Sequence, residues 1–195
     1  MLTIFSAENF KTIPWKNGLG HTTELAISDG GNLDNFAWRL SIASVVNDGD
    51  FSNFSGYQRN LVLIEGEGLT LDHRNGDVDK LAELLDIAHF DGASNTYGAL
   101  INGGIKDFNI MTKQGHFSAQ VDTYTANEKV MLSAKASTLI FAYSLSAAMT
   151  FEQSNNKTDV AQGALARIEN QASEKPLDIS LTGENMIIIQ LSKLK

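Results

Sequence analysis

Short apolar runs, separated by polar stretches that carry glycine, recur from one end of the chain to the other. Runs of this length, rich in β-branched and aromatic residues and bounded by turn residues, read as β-strands. The pattern predicts strands over Leu2–Phe5, Thr22–Ser28, Phe36–Val46, Arg59–Glu65, Leu69–His73, Phe108–Thr112 and Phe117–Thr125. It continues with Lys129–Leu132, Ser137–Ser144, Met149–Glu152, Ala164–Ile168, Leu177–Leu181 and Met186–Leu191. Sixteen glycines against two prolines suit tight turns between such strands. One segment breaks the pattern: Asp79–Ile87 places Leu81, Leu84, Leu85 and Ala88 at helical spacing and predicts a connecting helix of about two turns. Ser154–Lys157 and Gln171–Lys175 read as polar turns, and nothing is long or biased enough to be an interdomain linker. The expectation is an all-β, antiparallel chain with little helix, organised as one domain over residues 1–195.

Alternation within one strand separates two faces. In Phe36-Ala37-Trp38-Arg39-Leu40-Ser41-Ile42-Ala43 the period of two puts Trp38, Leu40 and Ile42 on one side and Arg39, Ser41 and Ala43 on the other. The second side can line a polar cavity or face solvent, and periodicity alone leaves both open.

Charge and composition narrow the function classes. The 195 residues carry a formal charge of −8, and nucleic-acid binding, which needs clustered Lys and Arg, is not expected. The absence of cysteine rules out disulfides, thiolate metal sites and cysteine nucleophiles. Residues 1–10 hold no Lys or Arg and no apolar run of signal-peptide length, and the longest apolar runs are strand-sized. A cytoplasmic location without membrane association is therefore expected.

The common catalytic signatures are not met. Cupin-type metal binding needs two histidines one residue apart, a nearby carboxylate and a distant histidine, whereas His21, His73, His89 and His116 are scattered. Asn17-Gly18-Leu19-Gly20-His21-Thr22-Thr23 is glycine-rich, but no Lys-Ser/Thr pair follows the glycines and a β-branched pattern begins at Thr22. The dinucleotide fingerprint and the Gly-x-Ser-x-Gly elbow are also missing. No cofactor and no metal are expected.

Three clusters carry a resemblance. Trp15 through Glu24, then Phe36 through Ala43 with Gly49 through Arg59, and Gly104-Ile105-Lys106-Asp107-Phe108-Asn109-Ile110-Met111 together resemble the HutD/Ves family. Leu19 interrupts that family's run of three glycines, and Thr112-Lys113-Gln114 stands where a basic pair often follows the Asp-Phe-Asn-x-Met motif. The resemblance implies a cupin-like fold with two packed β-barrel modules in one chain, a link to histidine utilisation through binding of a small acidic pathway metabolite, and a link to stress-induced proteins of unknown activity.

The matching clusters are rich in groups that recognise anions and amides. Lys16, Arg39 and Arg59 can pair with a carboxylate, and Asn17, Thr22, Ser41 and Asn109 can add neutral hydrogen bonds. Glu24 and Asp107 can orient these cations or meet a ligand amine. Asp107 and Asn109 can equally cap a turn, while Trp15, Phe51, Phe54 and Phe108 read as core and Gly18, Gly20 and Gly56 as turn glycines. The expectation is that Lys16, Arg39 and Arg59 converge on one cavity. The reading that follows is a binder of a small acidic metabolite, more a sensor than an enzyme, with a homodimer left open. Two rivals stand beside it: a metal-independent isomerase or lyase using Glu24, Asp107 or His21 as base, and a protein–protein adaptor.

Overall fold

The computed structural model describes residues 1–15, 20–170 and 175–194. In chain order the strands are β1 Leu2–Phe5, β2 Lys11–Pro14, β3 Gly20–Ile27, β4 Trp38–Val45, β5 Gly49–Asp50, β6 Tyr57–Glu65, β7 Leu69–Asp72, β8 Val78–Leu81, β9 Ile87–Asp91 and β10 Tyr97–Leu100. They continue with β11 Ile105–Lys113, β12 Phe117–Tyr124, β13 Glu128–Ala134, β14 Thr138–Ser144, β15 Met149–Gln153, β16 Asn156–Val160, β17 Leu165–Glu169, β18 Leu177–Gly183 and β19 Met186–Lys193. Among the described residues the only helical element is a single 3-10 turn, Ala7–Asn9. The all-β, antiparallel expectation holds, and no helix of the described residues is long and apolar enough to cross a membrane.

The chain divides into two compact units, Phe10–Phe117 and Met1–Asn9 with Ser118–Lys195. The N-terminal strand therefore belongs with the C-terminal half, where β1 pairs with β17. That half holds a five-stranded sheet of order β1-β17-β14-β19-β12 and a four-stranded sheet of order β13-β18-β15-β16. Its interior is apolar, filled by Ile140, Met149, Phe151, Ile168, Leu181 and Ile188 among others. The unit Phe10–Phe117 holds a six-stranded sheet of order β2-β3-β4-β11-β6-β9 and a four-stranded sheet of order β5-β10-β7-β8. Its core cluster, centred on Leu61, Leu63, Leu69, Leu71 and Leu81, occupies only part of the inner face of the larger sheet. Arg39, Ser41, Arg59, Asp107 and Asn109 share the rest with Met111.

The connecting helix expected at Asp79–Ile87 does not form. Val78–Leu81 pairs with β7, setting Leu81 opposite Leu69, and Ile87–Asp91 pairs with β6, setting Ala88 opposite Leu61. Between them the Asp86 carboxylate accepts from the backbone N–H groups of Ala82 and Glu83 and closes a turn. Two strands that each deliver one inward residue imitated the helical spacing: Leu81 and Leu85 are buried, but Leu84 is exposed. Long-range pairing overrode the local pattern.

Candidate functional site

Register on three neighbouring strands builds the site. β11 pairs with β4 so that Met111 faces Arg39, Asn109 faces Ser41 and Asp107 faces Ala43. It pairs with β6 so that Met111 faces Arg59, Asn109 faces Leu61 and Asp107 faces Leu63. Residues directly opposite on antiparallel strands project from the same face, so Arg39, Met111 and Arg59 form one row and Ser41, Asn109 and Leu61 the next. The two arginine α-carbons, two strand spacings apart, lie roughly 10 Å from each other. On the far side of β4 a bulge between Glu24 and Ala26 accommodates Leu25 and leaves Glu24 opposite Ser41, on the same face as the arginines.

This face opens on a cavity of about 480 Å³. Thr22, Arg39, Ser41, Arg59 and Asn109 line its polar side, Trp15, Phe51, Phe54 and Met111 its apolar side, and Leu33, Asn47, Asp48 and Asp50 also contribute. Its size and mixed lining suit a small organic molecule.

The two arginines sit in different electrostatic settings. Arg39 donates from Nε to Glu24 Oε2 at 2.7 Å, and its terminal nitrogens take no partner among the described residues. Glu24 thus holds the guanidinium by its inner edge and leaves the fork to the cavity. Arg59 donates from Nη2 to Asn109 Oδ1 at 2.7 Å and from Nη1 to the Ser52 carbonyl at 3.4 Å. Its guanidinium carbon lies 5.0 Å from the ring centre of Phe90, 5.4 Å from Phe51 and 5.7 Å from Phe54, within reach of cation–π attraction. Burial lowers the Arg59 pKa to about 10; the Asp107 charge opposes that shift and the like charge of Arg39 adds to it.

Asp107 is fully buried and does not line the cavity. Its Oδ1 accepts from Asn109 Nδ2, and its Oδ2 has no hydrogen-bond partner. Burial raises its pKa to about 7, with the Arg59 charge and the Asn109 hydrogen bond pulling the other way. Asn109 is the link, since one side-chain amide serves both the cation and the carboxyl.

Of the residues singled out from sequence, the structure brings Thr22, Arg39, Ser41, Arg59 and Asn109 to one cavity, with Glu24 bonded to Arg39 beside it and Asp107 buried on the same sheet face, two rows along from the arginines. Lys16 and Asn17 lie outside the described residues. Arg39 is buried and does not face solvent, and both faces of its strand are covered. Asp107 and Asn109 do not cap a turn, because β11 begins at Ile105 and carries both inside the strand. Phe108 is core as expected; Trp15, Phe51 and Phe54 are partly buried, pack against the apolar clusters and also line the cavity. Phe51 and Phe54 lie between strands, where no period reports a direction. His21 is exposed and absent from the cavity lining.

The histidines serve other ends. His73 is buried, with Nδ1 2.9 Å from Thr96 Oγ1, Nε2 3.0 Å from Asp79 Oδ2 and its ring stacked on Phe90 at 4.7 Å. Both ring nitrogens are engaged, and among the described residues no three His, Asp or Glu side chains cluster as metal ligands. Purified protein is expected to carry no stoichiometric transition metal. Elemental analysis finding about one metal per chain, lost on replacing His73 or His116, would overturn this.

Comparison with known proteins agrees with the fold. An uncharacterized 21.2 kDa protein in the hutC 3′ region of Pseudomonas putida is 34% identical over 143 residues, which is 73% of this chain and 74% of that protein. Protein Ves of Escherichia fergusonii is 35% identical over 108 residues, 55% of this chain and 56% of that protein. Among solved structures, HutD from Pseudomonas fluorescens SBW25 has a TM-score of 0.83 at 28% identity, and a conserved protein of unknown function from Pseudomonas aeruginosa PAO1 has 0.85 at 28%; both alignments cover 100% of each chain. YlbA of Escherichia coli, at 12% identity and a TM-score of 0.67 over 98% of this chain and 90% of that one, shares the cupin-like fold. The HutD family matches residues 7–188, nearly the whole length, and this chain belongs to it.

Proposed function

We propose that this protein binds a small acidic metabolite in the cavity of its Phe10–Phe117 unit and acts as a sensor or sequestering protein. The observation that carries the reading is the pair of buried arginines on one cavity wall, of which Arg39 keeps its terminal nitrogens without a partner among the described residues. A guanidinium fork in a poorly hydrated pocket matches a carboxylate in geometry as well as charge. Glu24 is already engaged by Arg39, and Asp107 is buried outside the cavity lining. The constellation favours recognition over bond breaking. A metabolite of histidine utilisation is the natural first candidate, given that a relative lies in a hutC region and another is named HutD.

The test is a thermal-stability screen of small carboxylates, histidine-pathway intermediates included. A ligand at 100 times its dissociation constant adds about 2.7 kcal/mol, which raises the melting temperature by roughly 5–10 °C for a chain of this size. Absence of any shift across millimolar carboxylates, set against an unchanged folded baseline, would sink the reading.

A further inference from the structure

The buried carboxyl of Asp107 lies outside the cavity lining, yet it shares the field of the cations in it. Asp107 sits on β11 between Ala43 of β4 and Leu63 of β6. On its own strand it is bonded to Asn109; from β6 it feels the charge of Arg59, which in turn feels Arg39 of β4, held by Glu24 of β3. The four-stranded sheet contributes Leu69, Leu71 and Leu81 to the same core, with His73 and Asp79 bonded to each other where His73 meets Phe90. One carboxyl oxygen, Oδ2, is therefore closed off from water and from every donor among the described residues.

We infer that anion binding in this cavity is proton-linked: a carboxylate arriving at Arg39 and Arg59 is bound together with a proton taken from solvent by the Oδ2 atom of Asp107. The inference rests on the anion-binding reading above and adds its regulation. An incoming negative charge competes with Asp107 for the field of the same guanidinium groups. Arg39 and Arg59 already share the site with the carboxylates of Glu24 and Asp107, so an added anion leaves one negative charge uncompensated, and the cheapest adjustment is for the buried carboxylate to become a neutral carboxylic acid. Only an O–H bond forms, and the proton comes from the buffer.

Burial already holds Asp107 near the midpoint of its titration at neutral pH, with a pKa of about 7. A bound anion raises that value further, so between the two values each ligand bound takes up a fraction of a proton, and affinity falls as pH rises. Below about pH 6 the carboxyl is protonated with or without ligand, and the dependence vanishes. The protein would hold its ligand more firmly in a slightly acid cell than in an alkaline one.

The experiment uses benzoate, whose single charge does not change over the range and whose ring suits the Phe51 and Phe54 wall. Titration calorimetry of the full chain at about pH 6.5 and about pH 8.5 is expected to show a roughly tenfold loss of affinity. Repeating it near pH 7 in buffers of different ionisation enthalpy is expected to show uptake of about half a proton per benzoate. Asp107→Asn, a fixed mimic of the protonated carboxyl, is expected to flatten the pH profile, which separates Asp107 from His73. Benzoate binding with equal affinity at both pH values and with no proton uptake would overturn the linkage and leave the anion-binding reading standing. Failure to bind benzoate at either pH would remove both. The buffer measurement needs only the wild-type chain, so the inference remains open to refutation should the variant fold poorly.

Discussion

Replacing Arg39 with alanine should weaken binding of a small carboxylate by roughly 10- to 150-fold, the loss of one charge-assisted hydrogen-bonded pair worth about 1.5–3 kcal/mol. Arg39 is almost fully buried, so water competes poorly for its fork. The substitution also leaves Glu24 on the same wall without the cation it now neutralises, and an unbalanced carboxylate repels the incoming one. Two companions make the argument specific. Arg39→Lys keeps the charge and loses the two-pronged geometry, and is expected to fall between wild type and alanine. Combining Arg39→Ala with Glu24→Gln removes the repulsion and should recover part of the affinity. Calorimetric titration of all four proteins decides the matter; an alanine variant that binds as tightly as wild type would mean that the ligand sits elsewhere. The fold should tolerate the change better than the site does, because Arg39 and Glu24 leave together in the double variant and neither belongs to the apolar cluster.

Much of this was legible in the sequence, and the illegible part has a common cause. Apolar runs between glycines reported most of the strands, and the period of two in Phe36–Ala43 separated Arg39 and Ser41 from Trp38 and Leu40. Periodicity reports a face and nothing about what lies across from it. Whether Arg39 met water or a cavity depended on a second sheet whose strands β5, β7, β8 and β10 are short, and of which only β7 was legible as a strand. Asp107 shows the same limit from the other side. A lone acid ahead of an apolar run looks like a turn cap, because its cation, Arg59, is supplied by a different strand that only the folded register brings alongside. The Glu24 bulge is also invisible in sequence, since one extra residue reverses every face that follows it. Helix-like spacing at Asp79–Ile87 misled for the reason local patterns generally do: the two strands it conceals are held by partners distant in the chain.

Substituting Asn109 by leucine should cost about 3–5 kcal/mol of stability, although the shape of the side chain is nearly kept. The amide oxygen of Asn109 accepts from Arg59 at 2.7 Å and its amide nitrogen donates to Asp107, so one residue satisfies two buried ionisable groups at once. Leucine removes both bonds. Arg59 then keeps only the long contact to the Ser52 carbonyl at 3.4 Å together with its aromatic neighbours, and Asp107 loses its donor while its other oxygen already lacks one. Each buried polar group left unpaired costs roughly 1–3 kcal/mol, and more when it is charged. The pH dependence follows from the raised folded-state pKa of Asp107, about 7 against an ordinary value of 3.8. An acid raised in the folded state contributes stability that is complete at low pH and is lost as pH climbs through the folded value, so the wild type weakens up to about pH 7 and then levels off. Without the Asn109 hydrogen bond, which pulls that pKa down, the folded value rises and the decline continues to higher pH. Urea unfolding at about pH 6 and about pH 8.5 should therefore show a variant that is weaker than wild type at both and disproportionately weaker at the higher. A loss below about 1 kcal/mol at both would mean that Asn109 does not bridge the pair, and that the arginine wall is held by its aromatic neighbours alone.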